Sequence, residues 1–323
     1  MKGVTYLLQR AVLRPYWKKD LHRSFKNHWQ LYLLLVVPVT LTLIFNYLPM
    51  VGILMSFEDY HPLKGIFGSK WVGFYHFERF FNSPVFFQLL KNTLSISIYN
   101  TIVSFIVPLV LALSLFELRS LRLRKTVQLV TYAPFFISTV VLVGMVFQCL
   151  NPRYGIVNSI LKLCGFDAIN FMGEPWMYQS IYVWSGIWQG AGYGAVIYLA
   201  ALSAVDPQLY ESAVIDGANK VQRMWHVDLP GIMPTLVIQM IFLIGSLFSV
   251  GYEKIYLLQN SLNIEISEVI STYVYSVGIL NTRGVVSQYG FAAAVGLFNS
   301  VVNFFLVIFA NSMARKFNDT SIW

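Results

Sequence analysis

One apolar segment of the chain carries residue types that suit contact with a sugar. Trp188, Gln189 and Tyr193 lie within two turns of a predicted helix, with Gly190 between them. Carbohydrates bind to an aromatic face together with a few amide or hydroxyl groups. We therefore take these four residues as candidates for a surface along which a polar solute moves.

Glycines on the same segment allow a second interpretation. Gly186, Gly190 and Gly194 recur at four-residue spacing, which places them on one helix face. Small residues at this spacing let helices in a membrane pack closely. Close packing and solute contact both stay open for this face.

The sequence offers no cluster of catalytic or metal-ligating residues. The five histidines are scattered through the predicted arm and loops, and Cys149 and Cys164 lack the spacing of metal ligands. No Gly-x-x-x-x-Gly-Lys-Ser/Thr phosphate loop is present, so the chain itself has no ATP site of that kind. We expect no catalytic residue, no metal site and no cofactor bound by this chain.

The composition is that of a membrane protein. Of the 323 residues, 56% are hydrophobic and 12% are charged, whereas soluble domains carry about 25% charged residues. A helix needs about 20 mostly apolar residues to cross the hydrocarbon core. The sequence predicts an all-α membrane protein with six transmembrane helices, over 31–57, 93–116, 128–149, 179–203, 235–257 and 289–311.

Basic residues orient these spans. Most of the 23 Lys and Arg residues lie in an arm over 1–30, after the second span, in the loop 206–234 and in a tail over 312–323. Because basic loops stay in the cytoplasm, both termini and this loop are predicted to be cytoplasmic, flanking a transmembrane domain over 31–311. The net charge of +8 then reflects orientation in the membrane, and we expect no nucleic-acid partner.

The basic arm 1–30 has two interpretations. It contains Tyr16, Trp17, Phe25 and Trp29 among its lysines and arginines. Such a segment is typical of an interfacial helix bound to anionic membrane lipid. A plain arm that only sets the topology fits equally well.

The loop 206–234 reads as a helix–turn–helix between two spans. Asp206-Pro207 predicts a helix start, because Asp accepts a backbone N–H and Pro lacks the donor that is orphaned there. Asp216-Gly217 predicts a stop and a turn. A second short helix is predicted from about 218 to 227, broken by Pro230 and Pro234. Either an external partner docks on this loop, or it is an ordinary amphipathic connector.

This loop and the rest of the chain contain a series of short motifs. They are Glu211-Ser212-Ala213-x-x-Asp216-Gly217-Ala218, Leu229-Pro230-x-x-x-Pro234, Phe45-Asn46-Tyr47-Leu48-Pro49-Met50, Phe57-Glu58-Asp59-Tyr60, Trp71-Val72-Gly73-Phe74, Asn92-Thr93, Thr272-Tyr273-Val274-Tyr275 and Ala294-Val295-Gly296-Leu297-Phe298. In these motifs the chain resembles the permeases of ATP-binding-cassette importers, and among them the carbohydrate permeases of the lipoprotein-type and maltose-permease-like sugar uptake systems. It particularly resembles the larger permease subunits of bacterial alginate importers.

The resemblance implies a fold and a set of partners. The fold is that of a type I importer permease in the bacterial cytoplasmic (inner) membrane. The partners are a second permease that completes a heterodimer, two ATPase subunits that bind ATP and Mg²⁺, and an extracytoplasmic substrate-binding protein. The solute is an oligosaccharide, with alginate or a related acidic oligosaccharide as the candidate. The ATPase-coupling residues are Tyr210, Glu211, Ser212, Ala213, Asp216, Gly217 and Ala218.

The resemblance also implies which residues contact the sugar along the translocation pathway. Gly190 and Tyr193 match positions that contact sugar in the maltose permease, which also uses asparagines in its fifth span. Here the comparable stretch has Ser246, Ser249 and Tyr252. Glu253-Lys254 follows, and we weigh an interfacial ion pair against a role with substrate. No Lys or Arg is expected deep in a span, so an acidic sugar is expected to meet mainly neutral donors or charges on partner subunits.

Two other function classes are compared with this one. A self-sufficient secondary transporter or channel for sugars is the alternative, and it usually carries an ionisable residue at mid-membrane. A membrane-embedded enzyme needs a clustered His, Asp or Ser site within the spans. The sequence favours the importer permease because neither feature is evident.

Overall fold

A computed structural model describes residues 27–280 and 288–318. Most of the predicted arm 1–30 and the end of the predicted tail 312–323 lie outside these residues. The chain divides into two compact units, Met1–Leu54 and Met55–Trp323.

The first unit is helical throughout its described part. Helix α1, Trp29–Thr42, continues as a π-helical turn over Leu43–Tyr47 and then as a 3-10 helix over Leu48–Phe57, in which the boundary between the units falls. Pro38 lies inside α1 and, because it lacks an N–H, it cannot donate to the carbonyl one turn earlier in the helix. The Thr42 hydroxyl donates a 2.8 Å hydrogen bond to the backbone oxygen of Pro38 itself.

The second unit is built from helices of unequal length with one short strand pair. β1, Glu58–Asp59, pairs antiparallel with β2, Lys70–Trp71, in the register Glu58 to Trp71 and Asp59 to Lys70. The helices that follow are α2 Tyr75–Phe81, α3 Phe86–Phe116, α4 Leu121–Tyr132, α5 Thr139–Cys149, α6 Ile156–Leu163, α7 Tyr178–Ser203, α8 Pro207–Ile215, α9 Lys220–Arg223, α10 Leu229–Gly231, α11 Met233–Gly245, α12 Tyr252–Leu258, α13 Ile264–Ser267, α14 Ile270–Gly278 and α15 Tyr289–Asn318.

The predicted spans are recovered as helices, but they are not all continuous. In the described part of the chain, three helical runs are long and apolar enough to cross a membrane, namely Trp29–Phe57, Phe86–Phe116 and Tyr289–Lys316. Two further pairs of helices are each bent at a short break, and the number of spans rises to five if each pair is counted as one span. Helix α7 has 26 residues and covers the predicted fourth span, although it does not reach the same apolar content. The prediction of six spans is therefore confirmed only in part.

The third predicted span, 128–149, is wrong as a single helix. Helix α4 passes into a 3-10 turn over Ala133–Phe136, and the axis then turns by 104° into α5. Pro134 starts this turn, and it removes an N–H from the helical ladder. The amide of Gln189 donates a 2.7 Å hydrogen bond to the backbone oxygen of Ile137, inside the break. One of the carbonyls freed by the bend is thereby satisfied.

The fifth predicted span, 235–257, is also broken. Helix α11 begins with Met233 and ends at Gly245, and the chain stays non-helical until α12 starts at Tyr252. Asn303 of α15 accepts a 3.0 Å hydrogen bond from the Phe248 N–H and donates a 2.8 Å bond to the Ser249 hydroxyl. The Ser271 hydroxyl donates to the Val250 oxygen at 2.9 Å. Side chains from neighbouring helices thus replace the missing helical hydrogen bonds.

Helices α3 and α7 form the centre of the second unit. They contribute to two separate buried clusters, one nearer the start of α7 and one nearer its end. The first cluster joins Tyr182 and Val183 of α7 to Ile96 of α3, and the second joins Ala195 of α7 to Ala112 of α3. A third cluster packs α2, α14 and α15 around Phe80 and Phe291. Close van der Waals packing of this kind is what associates helices in lipid.

Helices α7 and α4 pack closely at Gly192. A Cβ built on Gly192 would lie 2.0 Å from the backbone oxygen of Thr131. A Cβ built on Gly190, half a turn away, would meet nothing within 4 Å. Gly192 therefore serves packing, whereas Gly190 faces open space.

These two glycines provide a test of the packing. Gly192→Ala should force α4 and α7 apart and lower the apparent melting temperature of the detergent-purified protein by roughly 2–6 °C, because overpacking costs about 1–3 kcal/mol. The matched Gly190→Ala variant should melt like the parent protein. Equal melting temperatures for all three proteins would contradict the assigned contact between α4 and α7.

Candidate functional site

The loop 206–234 begins with the predicted helix. The Asp206 carboxylate accepts a 2.9 Å hydrogen bond from the Gln208 N–H, and Pro207 occupies the first helical position of α8. The helix ends at Ile215, as its sequence indicates. Both ends of α8 are thus set by residues within the loop itself.

A glycine turn closes this first helix. Gly217 has φ +80°, a left-handed conformation that suits glycine. The Ala218 N–H donates to the Ala213 oxygen at 2.9 Å, and the Gly217 N–H donates to the Val214 oxygen at 3.0 Å. These two bonds form a Schellman motif, which satisfies the last carbonyls of α8.

The second helix differs from its prediction in both bounds. It begins at Lys220, because Asn219 caps it in a reciprocal capping box with Gln222. It then continues through a π-helical turn over Met224–Asp228 and into α10, so Pro230 lies within the helix. The chain bends by 67° only between Gly231 and Met233. The predicted break at Pro230 is therefore wrong by a few residues.

An ion pair fastens the loop to the end of α3. The Arg223 guanidinium lies 2.9 Å from one carboxylate oxygen of Glu117 and 3.1 Å from the other. Lys220 donates to the Glu117 backbone oxygen at 3.1 Å. The Lys220 ammonium also lies 3.8 Å from a Glu117 carboxylate oxygen, and the Glu117 side chain is mostly buried. One guanidinium nitrogen of Arg223, Nη2, donates to both carboxylate oxygens, and such a charge-assisted contact is stronger than a neutral hydrogen bond.

A second polar contact fastens the two helices of the loop to each other. The Tyr210 hydroxyl donates a 2.6 Å hydrogen bond to the carboxylate of Asp228, a residue with 0% exposure. Burial, and then the neighbouring Asp228, raise the pKa of the Tyr210 phenol well above its usual value. Tyr210 therefore stays a neutral donor at physiological pH. The Tyr210 ring also lies 6.0 Å from the ring of Phe116 at the end of α3.

The other predicted coupling residues lie on or near the surface. Ala213, Asp216, Gly217 and Ala218 line one cavity of about 330 Å³, together with Gln222, Arg223, His226 and Val227. Glu211 and Ser212 are exposed next to it. The structure thus brings four of the seven predicted residues to one concave surface.

Exposed apolar side chains flank this cavity, and the sequence analysis did not single them out. Ile215 is 85% exposed, Trp225 65% and Val221 61%. Large apolar groups at this exposure, beside a concave surface, are typical of a protein contact. The signal in the sequence was a run of apolar residues on a loop predicted to lie in the cytoplasm.

A second cavity lies within the helix bundle. It has a volume of about 400 Å³ and runs between α3, α7 and α11. Gly186, Gly190 and Gly194 form one wall, and Tyr193 lies beside them. Ser104, Tyr198 and Gln239 add polar groups that the sequence analysis missed. Gln239 carried a signal, since a lone amide in an apolar span usually faces a cavity or another helix.

The predicted pathway residues of α7 do not all share this cavity. The Tyr193 ring stacks on Phe135, with the ring centroids 4.0 Å apart and the planes 9° from parallel. Trp188 lines a different, apolar groove between α5 and α7. Gln189 is half-buried, and its amide is bonded to Ile137. Only Gly190 and Tyr193 among the four therefore face the cavity together.

The candidates of the fifth span lie at its break. Ser246 donates to the Leu243 oxygen, and Ser249 accepts from Asn303. Tyr252 starts α12, and its ring lies 5.2 Å from that of Tyr275, which also contacts Tyr256. None of the three lines the 400 Å³ cavity. The ion pair weighed for Glu253 and Lys254 is absent from the described residues.

Metal and cofactor chemistry has no evident site in the described residues. No group of three or more His, Cys, Asp or Glu residues among them is arranged to hold a metal ion. Cys149 and Cys164 are free and exposed. The loop cavity and the bundle cavity therefore stay the candidate sites of the described residues.

Comparison with known proteins gives a family match and a similar relative for this chain. Residues 117–318 match the family described as binding-protein-dependent transport system inner membrane component. The polygalacturonan/rhamnogalacturonan transport system permease protein YteP of Bacillus subtilis is 42% identical over 294 residues, which cover 91% of this chain and 90% of YteP.

Solved structures agree with the sequence match. A crystal structure of a bacterial ABC transporter involved in the import of the acidic polysaccharide alginate contains a chain that superposes with a TM-score of 0.83 at 38% identity, covering 93% of this chain and 99% of that one. A second structure, of the alginate transporter in complex with an alginate pentasaccharide-bound periplasmic protein, gives the same TM-score at 37% identity and the same coverage. The chain belongs to the family of inner-membrane components of binding-protein-dependent transport systems.

Proposed function

We propose that this chain is one permease of an ATP-driven importer of acidic oligosaccharides in the bacterial cytoplasmic membrane. It forms half of the translocation pathway with a second permease. Its loop 206–234 contacts an ATPase subunit, and a substrate-binding protein delivers the sugar from outside. Both termini and the loop lie in the cytoplasm.

The observation that carries the proposal is the anchored loop. Two short helices present a concave surface at Ala213, Gly217 and Ala218, and Arg223 fastens them to Glu117 at the end of α3. A loop that only joined two spans would need no such anchoring. The exposed Ile215, beside this cavity, gives a partner an apolar contact.

Similarity to known transporters supports an acidic sugar as the substrate. The relative YteP is described as transporting polygalacturonan and rhamnogalacturonan, and the superposed transporter as importing alginate. These are polysaccharides with carboxylate-bearing units. The bundle cavity supplies a tyrosine ring and an amide, Tyr193 and Gln239, which suit the neutral part of such a sugar.

The whole proposal is tested by reconstitution. The chain should be assembled in proteoliposomes with the ATPase, the second permease and the binding protein encoded beside it. We expect ATP hydrolysis to rise when the binding protein is loaded with oligogalacturonate or an alginate oligosaccharide, and no hydrolysis by this chain alone. Stimulation by neutral oligosaccharides only would reject the acidic substrate, and hydrolysis by the isolated chain would reject the division of labour.

Coupling through the loop gives a second prediction. Gly217→Val places a β-branched residue at positive φ, where it is strained, and should lower uptake about tenfold or more, since coupling energies are about 1–3 kcal/mol. Glu211→Lys, which reverses an exposed charge next to the cavity, should act in the same direction. Affinity of the binding protein for sugar should stay unchanged.

Matched variants separate coupling from strain. Gly165 has φ +85° and, like Gly217, open space around a built Cβ, but it lies in the loop after α6. Gly165→Val should therefore strain the backbone equally and leave uptake near the parent value. Gly217→Asn should recover most uptake, because Asn tolerates the left-handed region. If both valine variants behave alike, the loop carries no special role.

The pathway gives a third prediction. Tyr193→Ala and Gln239→Leu should each lower uptake about threefold to tenfold with normal assembly, because they remove an aromatic face or an amide from the cavity. Gln189→Leu should instead reduce the amount of assembled complex, since it leaves the Ile137 carbonyl without its partner. Val196→Ala, on an exposed part of α7, is the control. Normal uptake by the Tyr193 and Gln239 variants would move the sugar path elsewhere.

A further inference from the structure

Lys254 is a lysine turned into the helix bundle. It lies in α12, and its ammonium donates a 2.7 Å hydrogen bond to the backbone oxygen of Tyr182 in α7. The same ammonium lies 4.8 Å from the centroid of the Tyr182 ring, in cation–π geometry. The sequence analysis placed this residue near the outer end of the fifth span and left open an ion pair with Glu253 or a role with substrate.

The charge of Lys254 is not compensated by a carboxylate in the described part of the chain. The ion pairs found there both involve Glu117, at the end of α3, and Glu253 is exposed. An ammonium carries three N–H donors, and one of them is used. A cation inside a membrane domain is costly unless it faces water or meets a counter-charge.

The position of the ammonium relates it to the bundle cavity. A Cβ built on Gly186 would lie 2.8 Å from the Lys254 nitrogen, so the missing side chain of Gly186 leaves room for it. Gly186 also lines the 400 Å³ cavity, on the same helix face as Gly190. The ammonium therefore lies against Gly186, a lining residue of that cavity, one turn along α7 from Gly190 and two turns from Tyr193 and Gly194.

We propose that Lys254 is a specificity-determining residue that binds the carboxylate of an acidic sugar unit as it passes the cavity. This inference rests on the proposed function. It identifies the Lys254 ammonium as the group of this chain that recognises the negative charge of the sugar. Tyr182 holds the lysine in place through its backbone oxygen and its ring. Two N–H donors remain for a carboxylate, and a charge-assisted pair of this kind is stronger than a neutral hydrogen bond.

A structural role is the competing explanation. The bond from Lys254 to Tyr182 also ties α12 to α7, and a variant that breaks the tie destabilises the bundle. Lys254→Gln discriminates between the two roles, because its amide keeps a donor for the Tyr182 oxygen while the charge is lost. Lys254→Arg keeps the charge. Lys162→Gln, at an exposed lysine of α6, is the matched control.

The experiment measures uptake of oligogalacturonate by the complete importer in proteoliposomes, with saturating binding protein. We expect Lys254→Gln to lower uptake about tenfold, the size of one lost charge-assisted hydrogen bond. Lys254→Arg should retain at least about a third of the parent uptake, because Arg also pairs with carboxylates. The basal ATPase rate and the melting temperature of Lys254→Gln should match those of the parent and of Lys162→Gln.

Three results would contradict the inference, and each can be told apart from the others. Unchanged uptake by Lys254→Gln overturns the inference. A joint fall in uptake, basal ATPase rate and melting temperature for both Lys254 variants also overturns it and leaves the tether as the role. If the parent importer assembles but takes up no oligogalacturonate or alginate oligosaccharide, the acidic substrate itself is wrong, and the inference falls with it.

Discussion

The need to satisfy every backbone N–H and C=O within the bilayer shapes the helix bundle. Two of its predicted spans are broken, and each break exposes polar backbone that lipid cannot satisfy. Gln189 donates to the Ile137 oxygen at one break, and Asn303 bonds to Phe248 and Ser249 at the other. Because these bonds come from α7 and α15, the breaks are rigid parts of the fold. They leave α3, α7 and α11 free to enclose a cavity with polar groups in its wall.

The same helix that lines the cavity also carries the anchor of the loop. Ser104 and Pro108 of α3 line the cavity, and α3 ends beside Glu117, which holds Arg223 and Lys220. Tyr210 and Asp228 make the two loop helices one body. In the proposed coupling role, a displacement of the loop by an ATPase subunit would reach α3 through these charged hydrogen bonds and the helices packed beside them.

Sequence reasoning succeeded where local residues decide the conformation. Asp206-Pro207 and Asp216-Gly217 start and end α8 as predicted, because capping and left-handed turns depend on neighbours in the chain. Pro134 predicts a kink in the third span, but the full 104° break at Ile137 and the break after Gly245 were not predicted, because Gln189 and Asn303, which stabilise them, are distant in sequence. The contact of Lys254 with Tyr182 was not predicted for the same reason, since Tyr182 lies on another helix. The arm 1–26 stays a prediction, outside the described residues.

The most direct test of the account is contact between the loop and an ATPase. Cys149 and Cys164 should be replaced by Ser, and a thiol-specific photocrosslinker attached to Ala218→Cys or, as a control, to Gly165→Cys, in membranes that contain the whole importer. We expect a covalent product between the ATPase subunit and the chain labelled at 218, and none from 165. A position 218 that reacts with a membrane-impermeant thiol reagent from outside the cell, and gives no ATPase product, would contradict the central claim.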